Sequence, residues 1–283
     1  MQKKDSNKTY CIIGDPIQHS LSPAMQNAAF NAVGLNSSYF AFRVRKGELE
    51  ESIDSLRAIE VSGFNITVPH KVEAMKYLDE FDPSARRANA VNTVHNVGGV
   101  LKAYNTDIYG FIHPLHLRRA NFDRMKVLLI GAGGAARAIL AALADEDGIS
   151  EVIIANRSEG KARSLLEISL PLGLNCKIIP WEKIPEYSKM AKLIVNATTV
   201  GMNNELSLVD HQVIKKDAIV YDIVYKPVNT EFLKNAKHVG AGVVYGYEML
   251  LYQGAKSFEI WTGMSAPIDA MRKALLGTVG EHS

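Results

Sequence analysis

Several side chains able to donate, accept or carry a proton stand where apolar runs stop. The stretch Gly63–Lys71 reads GFNITVPHK. Asn65, Thr67 and Pro69 alternate with Phe64, Ile66 and Val68, so the spacing predicts a strand whose end is polar on one face, and Lys71 follows the Pro69 that terminates it. Asn92 lies in a second run predicted as a strand, Asn89–Val94, and Asp107 closes Asn105-Thr106-Asp107 after a third. Strand ends are where α/β proteins place chemistry. The surrounding amides and hydroxyls are what a polyhydroxylated acid needs for recognition. Ser20 and Ser22 precede a helix opened by Pro23, with Ser22 expected as its N-cap. Two hydroxyls at a helix N-terminus are well placed to hold a carboxylate.

A second centre is the run Met125–Ile130 followed by Gly131-Ala132-Gly133-Gly134-Ala135-Ala136. An apolar run ending in glycines, with an alanine-rich helical pattern next, reads as strand, tight turn and helix. Gly131 permits the turn, Gly133 lets a pyrophosphate approach the backbone, and Ala136 keeps the helix close to the strand. The helix start adds free N–H groups and the positive end of its dipole. With the strand Val152–Ala155 following, the pattern predicts a dinucleotide site. That second strand ends in Asn156-Arg157-Ser158, with Lys161 and Arg163 beyond, and no carboxylate stands at its tip. A carboxylate there would bind a ribose 2′-hydroxyl, whereas a guanidinium fork matches a 2′-phosphate, so NADP is expected rather than NAD. Arg163 alone reads as a solvated helix residue.

These groups need a scaffold. Strands are expected near Thr9–Gly14 and Tyr39–Val44, an amphipathic helix over Glu48–Ile59 with Leu49, Ile53, Leu56 and Ile59 on one face, and a hairpin turning at Gly98-Gly99. After the glycine turn, strands alternate with helices through Gly246, which predicts a parallel, doubly wound sheet. Tyr247–Thr262 is a long amphipathic helix carrying Gln253, and Ala266–Leu276 another.

The chain has 283 residues, 47% hydrophobic and 22% charged, enough for two soluble globular domains. A net charge of +2 gives no reason to expect nucleic acid or an anionic membrane. No long uncharged apolar run predicts a membrane span, and no signal peptide is visible, which points to the cytoplasm. Cys11 and Cys176 lie in separate apolar runs and read as buried thiols of a reducing compartment, and the eight histidines are too scattered for a metal site.

The stretches HSLSP, GFNITVPHK, AVNT, NTD, GAGGAARA, NRS, NATTVGM, YDIVY and GYEMLLYQGA resemble, in order, those of the shikimate/quinate dehydrogenase family, and more closely its NADP-dependent shikimate dehydrogenases. The resemblance covers nearly the whole chain. It implies an α/β fold: a substrate domain at residues 1–107, a Rossmann-like NADP domain at 108–246, and C-terminal helices at 247–283 that return to the first domain. It implies NADPH-dependent reduction of 3-dehydroshikimate to shikimate, a step of aromatic amino-acid biosynthesis, by a monomer or homodimer. Lys71 and Asp107 are implied as the catalytic pair. Substrate contacts are implied from Ser20, Ser22, Asn65, Thr67, Lys71, Asn92, Asp107, Tyr225 and Gln253. Cofactor contacts are implied from Gly131, Ala132, Gly133, Gly134, Ala135, Asn156, Arg157, Ser158, Lys161, Thr198, Ile223 and Gly246. Lys161 departs from the arginine common in NADP-using relatives, which weakens one directional contact. Pro83 replaces an acidic residue, and Ile108 a glycine. The competing readings are a quinate/shikimate dehydrogenase with broader substrate or NAD use and a non-catalytic dinucleotide-binding regulator; the presence of both Lys71 and Asp107 weighs against the latter.

Overall fold

The computed structural model describes residues 7–203 and 207–280. The chain divides into two compact units. One takes in the chain through Gly110 and from Leu251 onward, and the other is Phe111–Leu250.

In the first unit, β1 (Lys8–Gly14) leads through α1 (Ser22–Ala32) to β2 (Ser37–Arg43), and α2 (Leu49–Ala58) leads to β3 (Gly63–Ile66). Then come β4 (Glu80–Phe81), α3 (Pro83–Ala88), β5 (Thr93–Val97) and β6 (Val100–Tyr104), before α4 (Asp107–Leu117). The sheet order is β2-β1-β3-β5-β6-β4. β1 is parallel to both β2 and β3, while β5 is antiparallel to β3 and to β6. One edge of this sheet therefore gathers the C-terminal ends of β1, β3 and β6 and the N-terminal end of β5. Ser20, Lys71, Asn92 and Asp107 all follow or precede strands at that edge.

Four local expectations change. Ser22 is the first residue of α1 and not its cap; Leu21 holds the cap position and offers no side-chain acceptor. The Ser20 hydroxyl instead accepts from the Ser22 N–H at 3.3 Å, so it does the work expected of Ser22. Asn89 belongs to no strand: it ends α3 in the left-handed region (φ 45°), a conformation its short polar side chain tolerates, and β5 begins only at Thr93. α3 was hidden by its brevity, although Asp82 caps it by accepting from the Ser84 N–H and Pro83 opens it. Ile59 lies past the last turn of α2 and is exposed, while Leu49, Ile53 and Leu56 pack with Ile13, Phe64 and Ile66 as their spacing predicts.

The second unit alternates β7 (Met125–Ile130), α5 (Gly134–Leu143), β8 (Ile149–Ala155), α6 (Glu159–Ser169), β9 (Cys176–Ile179), α7 (Ile184–Ser188), β10 (Leu193–Asn196), β11 (Ile219–Asp222), α8 (Glu231–His238) and β12 (Gly242–Val244). All its strands pair parallel, in the order β12-β11-β10-β7-β8-β9. From β7 the chain winds outward through β8 and β9, then returns to the far side of β7 at β10. That reversal is the switch point at which doubly wound sheets open a crevice.

α9 (Gly246–Thr262) and α10 (Ile268–Gly280) follow, with the unit boundary inside α9. The rest of α9 packs on the first sheet: the Trp261 ring stacks on Tyr10 at 5.0 Å and Phe258 meets Phe30 at 5.6 Å. Among the described residues no helix is long and apolar enough to cross a membrane, and no group of His, Cys, Asp and Glu could hold a metal. Cys11 is buried, its thiol pushed up to about 12 by burial; Cys176, read as buried, is only half-buried at the start of β9.

Candidate active site and cofactor cradle

The sheet edge of the first unit holds an ion pair. Lys71 Nζ donates to Asp107 Oδ2 at 2.5 Å, and the two side chains are only 14% and 6% exposed. A largely desolvated pair of this kind is costly unless its remaining lone pairs are used. Here Asp107 Oδ1 accepts from Asn92 Nδ2 at 2.9 Å. The backbone fixes the same residues: the Val91 N–H donates to the Lys71 carbonyl at 2.8 Å, and the Asp107 N–H donates to Asn105 Oδ1 at 3.1 Å. The buried His70 ring anchors the turn before Lys71 through Nε2 and the Val44 carbonyl, 2.7 Å apart.

Asn92 is the junction. Its Nδ2 also lies 2.9 Å from Thr106 Oγ1 and 3.3 Å from Gln253 Oε1, and its Oδ1 accepts from the Thr106 N–H at 2.7 Å. Gln253 thus reaches Asn92 within the first unit and is buried, although helix periodicity alone reads it as a solvated position. The register of α9 explains this. Trp261 Nε1 donates to the Val94 carbonyl beside Gly63, and Ser257, one turn earlier, meets Asn65 and Thr93. Four helical residues advance about 6 Å and two strand residues about 6.6 Å, so α9 runs in step along β3. One more turn brings Gln253 to Asn92.

Asn65 is buried and tied into the protein. Its Nδ2 lies within 2.9 Å of the Asn92 carbonyl and of Thr93 Oγ1 and 3.2 Å from Ser257 Oγ, and its Oδ1 accepts from Tyr39 at 2.6 Å. Burial holds the Tyr39 phenol well above its ordinary range, so it stays a donor. Tyr39, Thr93, Thr106 and Ser257 form a polar plate under the pair that sequence reading missed. Ser257 stands four residues after Gln253, which puts both on one face of α9, and that spacing was the available signal.

Thr67 is half-buried, its N–H donating to the Ile13 carbonyl, so it sits beside the end of β1. Ser20 is half-buried and Ser22 buried at the start of α1, on that same edge of the sheet, without a hydrogen bond to Lys71 or Asp107. Tyr225 lies in the second unit, three residues past the end of β11, and burial raises its phenol.

The implied cofactor residues line the C-terminal ends of five adjacent parallel strands. Gly131–Ala135 follow β7, Asn156–Lys161 follow β8, Thr198 follows β10, Ile223 follows β11 and Gly246 follows β12. Gly131 has φ 116°, and a Cβ there would collide with the Ala197 carbonyl across the switch point. A Cβ on Gly133 would meet no protein atom within 4 Å, so the backbone there faces open space. Gly246 has a further reason of its own, because a Cβ would strike the Ile223 and Val224 carbonyls. At the tip of β8, Asn156 Nδ2 donates to the Ser158 carbonyl at 2.8 Å, and the exposed Arg157 guanidinium lies 5.6 Å from the centre of the Trp181 ring. The nearest carboxylate in sequence, Glu159, is engaged by Arg163 at 2.5 Å on the solvated face. A free helix N-terminus, a bare glycine turn and exposed cations fit a dinucleotide bearing a 2′-phosphate.

Comparison with known proteins agrees with this geometry. Residues 12–94 match the shikimate dehydrogenase substrate binding domain, residues 115–221 the shikimate / quinate 5-dehydrogenase family, and residues 246–276 the shikimate 5′-dehydrogenase C-terminal domain. The chain is 50% identical over 270 residues to the shikimate dehydrogenase (NADP(+)) of Nitrosopumilus maritimus, covering 95% of this chain and 98% of that protein. A crystal structure of a shikimate dehydrogenase in complex with NADP+ superposes with a TM-score of 0.89 at 38% identity, covering 96% of each chain. The Thermus thermophilus shikimate 5-dehydrogenase in complex with NADP(H) and shikimate gives 0.85 at 35% identity, covering 96% of this chain and 99% of that one. Matched across three successive segments and along almost its entire length, the chain belongs to the shikimate dehydrogenase family.

Proposed function

We infer that this protein is an NADP-dependent shikimate dehydrogenase, an oxidoreductase that reversibly reduces 3-dehydroshikimate to shikimate. The observation that carries the reading is the Lys71–Asp107 pair, closed by Asn92 and Gln253. When bound, NADPH supplies a hydride to the ketone carbon. Lys71 donates its hydrogen bond to the ketone oxygen and gives up a proton as that oxygen becomes an alkoxide. Asp107 holds the ammonium in place and draws the proton back in the reverse direction. Asn92 and Gln253 orient ring hydroxyls, with Asn65 fixing Asn92 from below. Ser20, Ser22 and Thr67 receive the carboxylate end of the substrate.

On the cofactor side, Gly131 to Ala135 and the start of α5 hold the pyrophosphate. Asn156, Arg157, Ser158 and Lys161 hold the 2′-phosphate end. Thr198, Ile223 and Gly246 form the wall for the nicotinamide half. The domain assignment follows the same division: a substrate domain completed by the C-terminal helices and an NADP domain between. A cytoplasmic location suits the two free thiols, and sedimentation would distinguish a monomer from a homodimer.

The test is turnover of purified protein with shikimate or quinate, each paired with NADP or NAD. Shikimate with NADP should give the highest kcat/KM. Highest efficiency with quinate would move the protein to the quinate branch, and no turnover with any pair would remove the enzymatic reading.

A further inference from the structure

Asp222 is a fully buried carboxylate that the reaction does not use. Among the described residues its three hydrogen-bond partners are all neutral. Oδ1 accepts from Asn196 Nδ2 at 2.9 Å and from the Val224 N–H at 3.0 Å, and Oδ2 accepts from Thr230 Oγ1 at 2.6 Å. A buried carboxylate without a cation beside it is expensive to keep, and burial pushes this one up to about 6. Such a group persists where its several acceptor sites tie together segments that no apolar side chain could join.

The segments in question are strand ends. Asn196 is the last residue of β10, and its Oδ1 accepts from both the N–H and the hydroxyl of Thr198, at 3.0 and 2.7 Å. Its Nδ2 reaches the Val200 carbonyl as well as Asp222. Ile223 is held on both sides, its N–H donating to the Asn196 carbonyl at 3.1 Å and the next N–H to Asp222. Thr230 caps α8 through the Leu233 N–H, and its methyl lies against Gly201, whose φ of 102° lets the loop after Thr198 fold over the carboxylate. The loop after β10 and the two ends of the loop between β11 and α8 therefore converge on one side chain.

We propose that Asp222 is a positioning residue for cofactor binding: with Asn196 and Thr230 it sets the loops that present Thr198 and Ile223 to the nicotinamide half of NADP. This rests on the assignment of Thr198 and Ile223 to the cofactor wall made above. Asp222 touches no reacting atom and holds two cofactor-wall residues but only one implied substrate contact, Tyr225, so its effect appears in NADP affinity more than in shikimate affinity.

The test is calorimetric titration of purified full-length protein with NADP and, separately, with shikimate, beside thermal melting to establish folding. Asp222→Ala removes all three acceptor contacts and should raise the NADP dissociation constant by about tenfold or more, as expected for losing hydrogen bonds to a charged group. Shikimate affinity should fall several-fold less than NADP affinity, because of the implied substrate contacts only Tyr225 follows the loop that Asp222 holds. Asp222→Asn keeps an acceptor for Val224 and Asn196 and should recover most of the NADP affinity, a rescue that general loosening of the fold would not give. If Asp222→Ala fails to fold, Thr230→Val and Thr230→Ser carry the test: the first should weaken NADP binding and the second restore it. A folded Asp222→Ala or Thr230→Val with unchanged NADP affinity overturns the proposal, and so does an equal loss of shikimate affinity. Absence of NADP binding by the unsubstituted protein would instead overturn the cofactor assignment itself.

Discussion

Lys71 and Asp107 meet at 2.5 Å although 35 residues separate them in the chain, and the carboxylate is shared with Asn92 on its other oxygen. The pair is held from both main chains, so the ammonium is preoriented before any substrate arrives. Preorganisation of this kind is worth most where charge develops in the transition state.

Loss of the ammonium should therefore reduce turnover more than binding. Lys71→Ala is expected to lower kcat by roughly 10²–10⁴-fold with a modest change in KM for shikimate, since the amides and hydroxyls remain. Asp107→Ala should lower kcat similarly and disturb binding more, because Asn92 loses its partner. The double variant should be little worse than either single one, as each residue works through the other. Steady-state kinetics checks all three, and near-normal turnover of Lys71→Ala would exclude it as proton donor.

The exposed Arg157 should discriminate between cofactors. Arg157→Ala should cost on the order of 1.5–3 kcal/mol of NADP binding, about 10- to 100-fold in KM, and leave NAD almost unaffected. Equal losses with both cofactors would mean that Arg157 does not meet the 2′-phosphate. Lys161→Arg should strengthen NADP binding slightly by adding a directional fork.

Gly63 and Trp261 set the register that delivers Gln253. A methyl group on Gly63 would press into the Trp261 indole and the Val94 carbonyl, so Gly63→Ala should destabilise the protein by about 1–3 kcal/mol. Because α9 would shift along β3, the KM for shikimate should rise in the same variant. Chemical denaturation beside kinetics reads both, and a stable variant with unchanged KM would show that α9 takes its position from other contacts.

The buried Asp222 carboxyl gives a pH dependence with a definite sign. It sits at about 6 when folded against an ordinary 3.8, so the native state binds its proton more tightly than the unfolded chain. Its favourable contribution is fully present below about 3.8 and is lost as pH rises through about 6, roughly 3 kcal/mol in all. Asp222→Asn removes this titration. The stability of the unsubstituted protein relative to Asp222→Asn should therefore fall between pH 4 and 7, and a flat difference would contradict the raised affinity for the proton.

Local pattern carried much of the fold. The glycine turn, the alternation of strands and helices after it, and the hairpin at Gly98-Gly99 all appear where the sequence places them, because each depends on side-chain period or on backbone freedom within a few residues. The residue types at Lys71, Asp107, Arg157 and Gly131–Ala135 were legible for the same reason: ammonium, carboxylate, guanidinium and bare backbone have few substitutes. Short-range competition explains the errors, since Asn89 could be read as strand or as a left-handed helix end, and Ser20 and Ser22 could each satisfy the start of α1. What only the tertiary structure decided is which of these groups meet. The mixed sheet turns β5 against β3 and so brings Asn92 to the edge where Lys71 lies. The in-step packing of α9 lifts Gln253 out of an apparently solvated stripe and buries Ser257 and Tyr39 beneath the pair. Asp222 was visible only as a residue of a strand; its buried setting arises from two loops converging after β10 and β11, strands that are neighbours in the sheet but distant in the chain, and no local period records that.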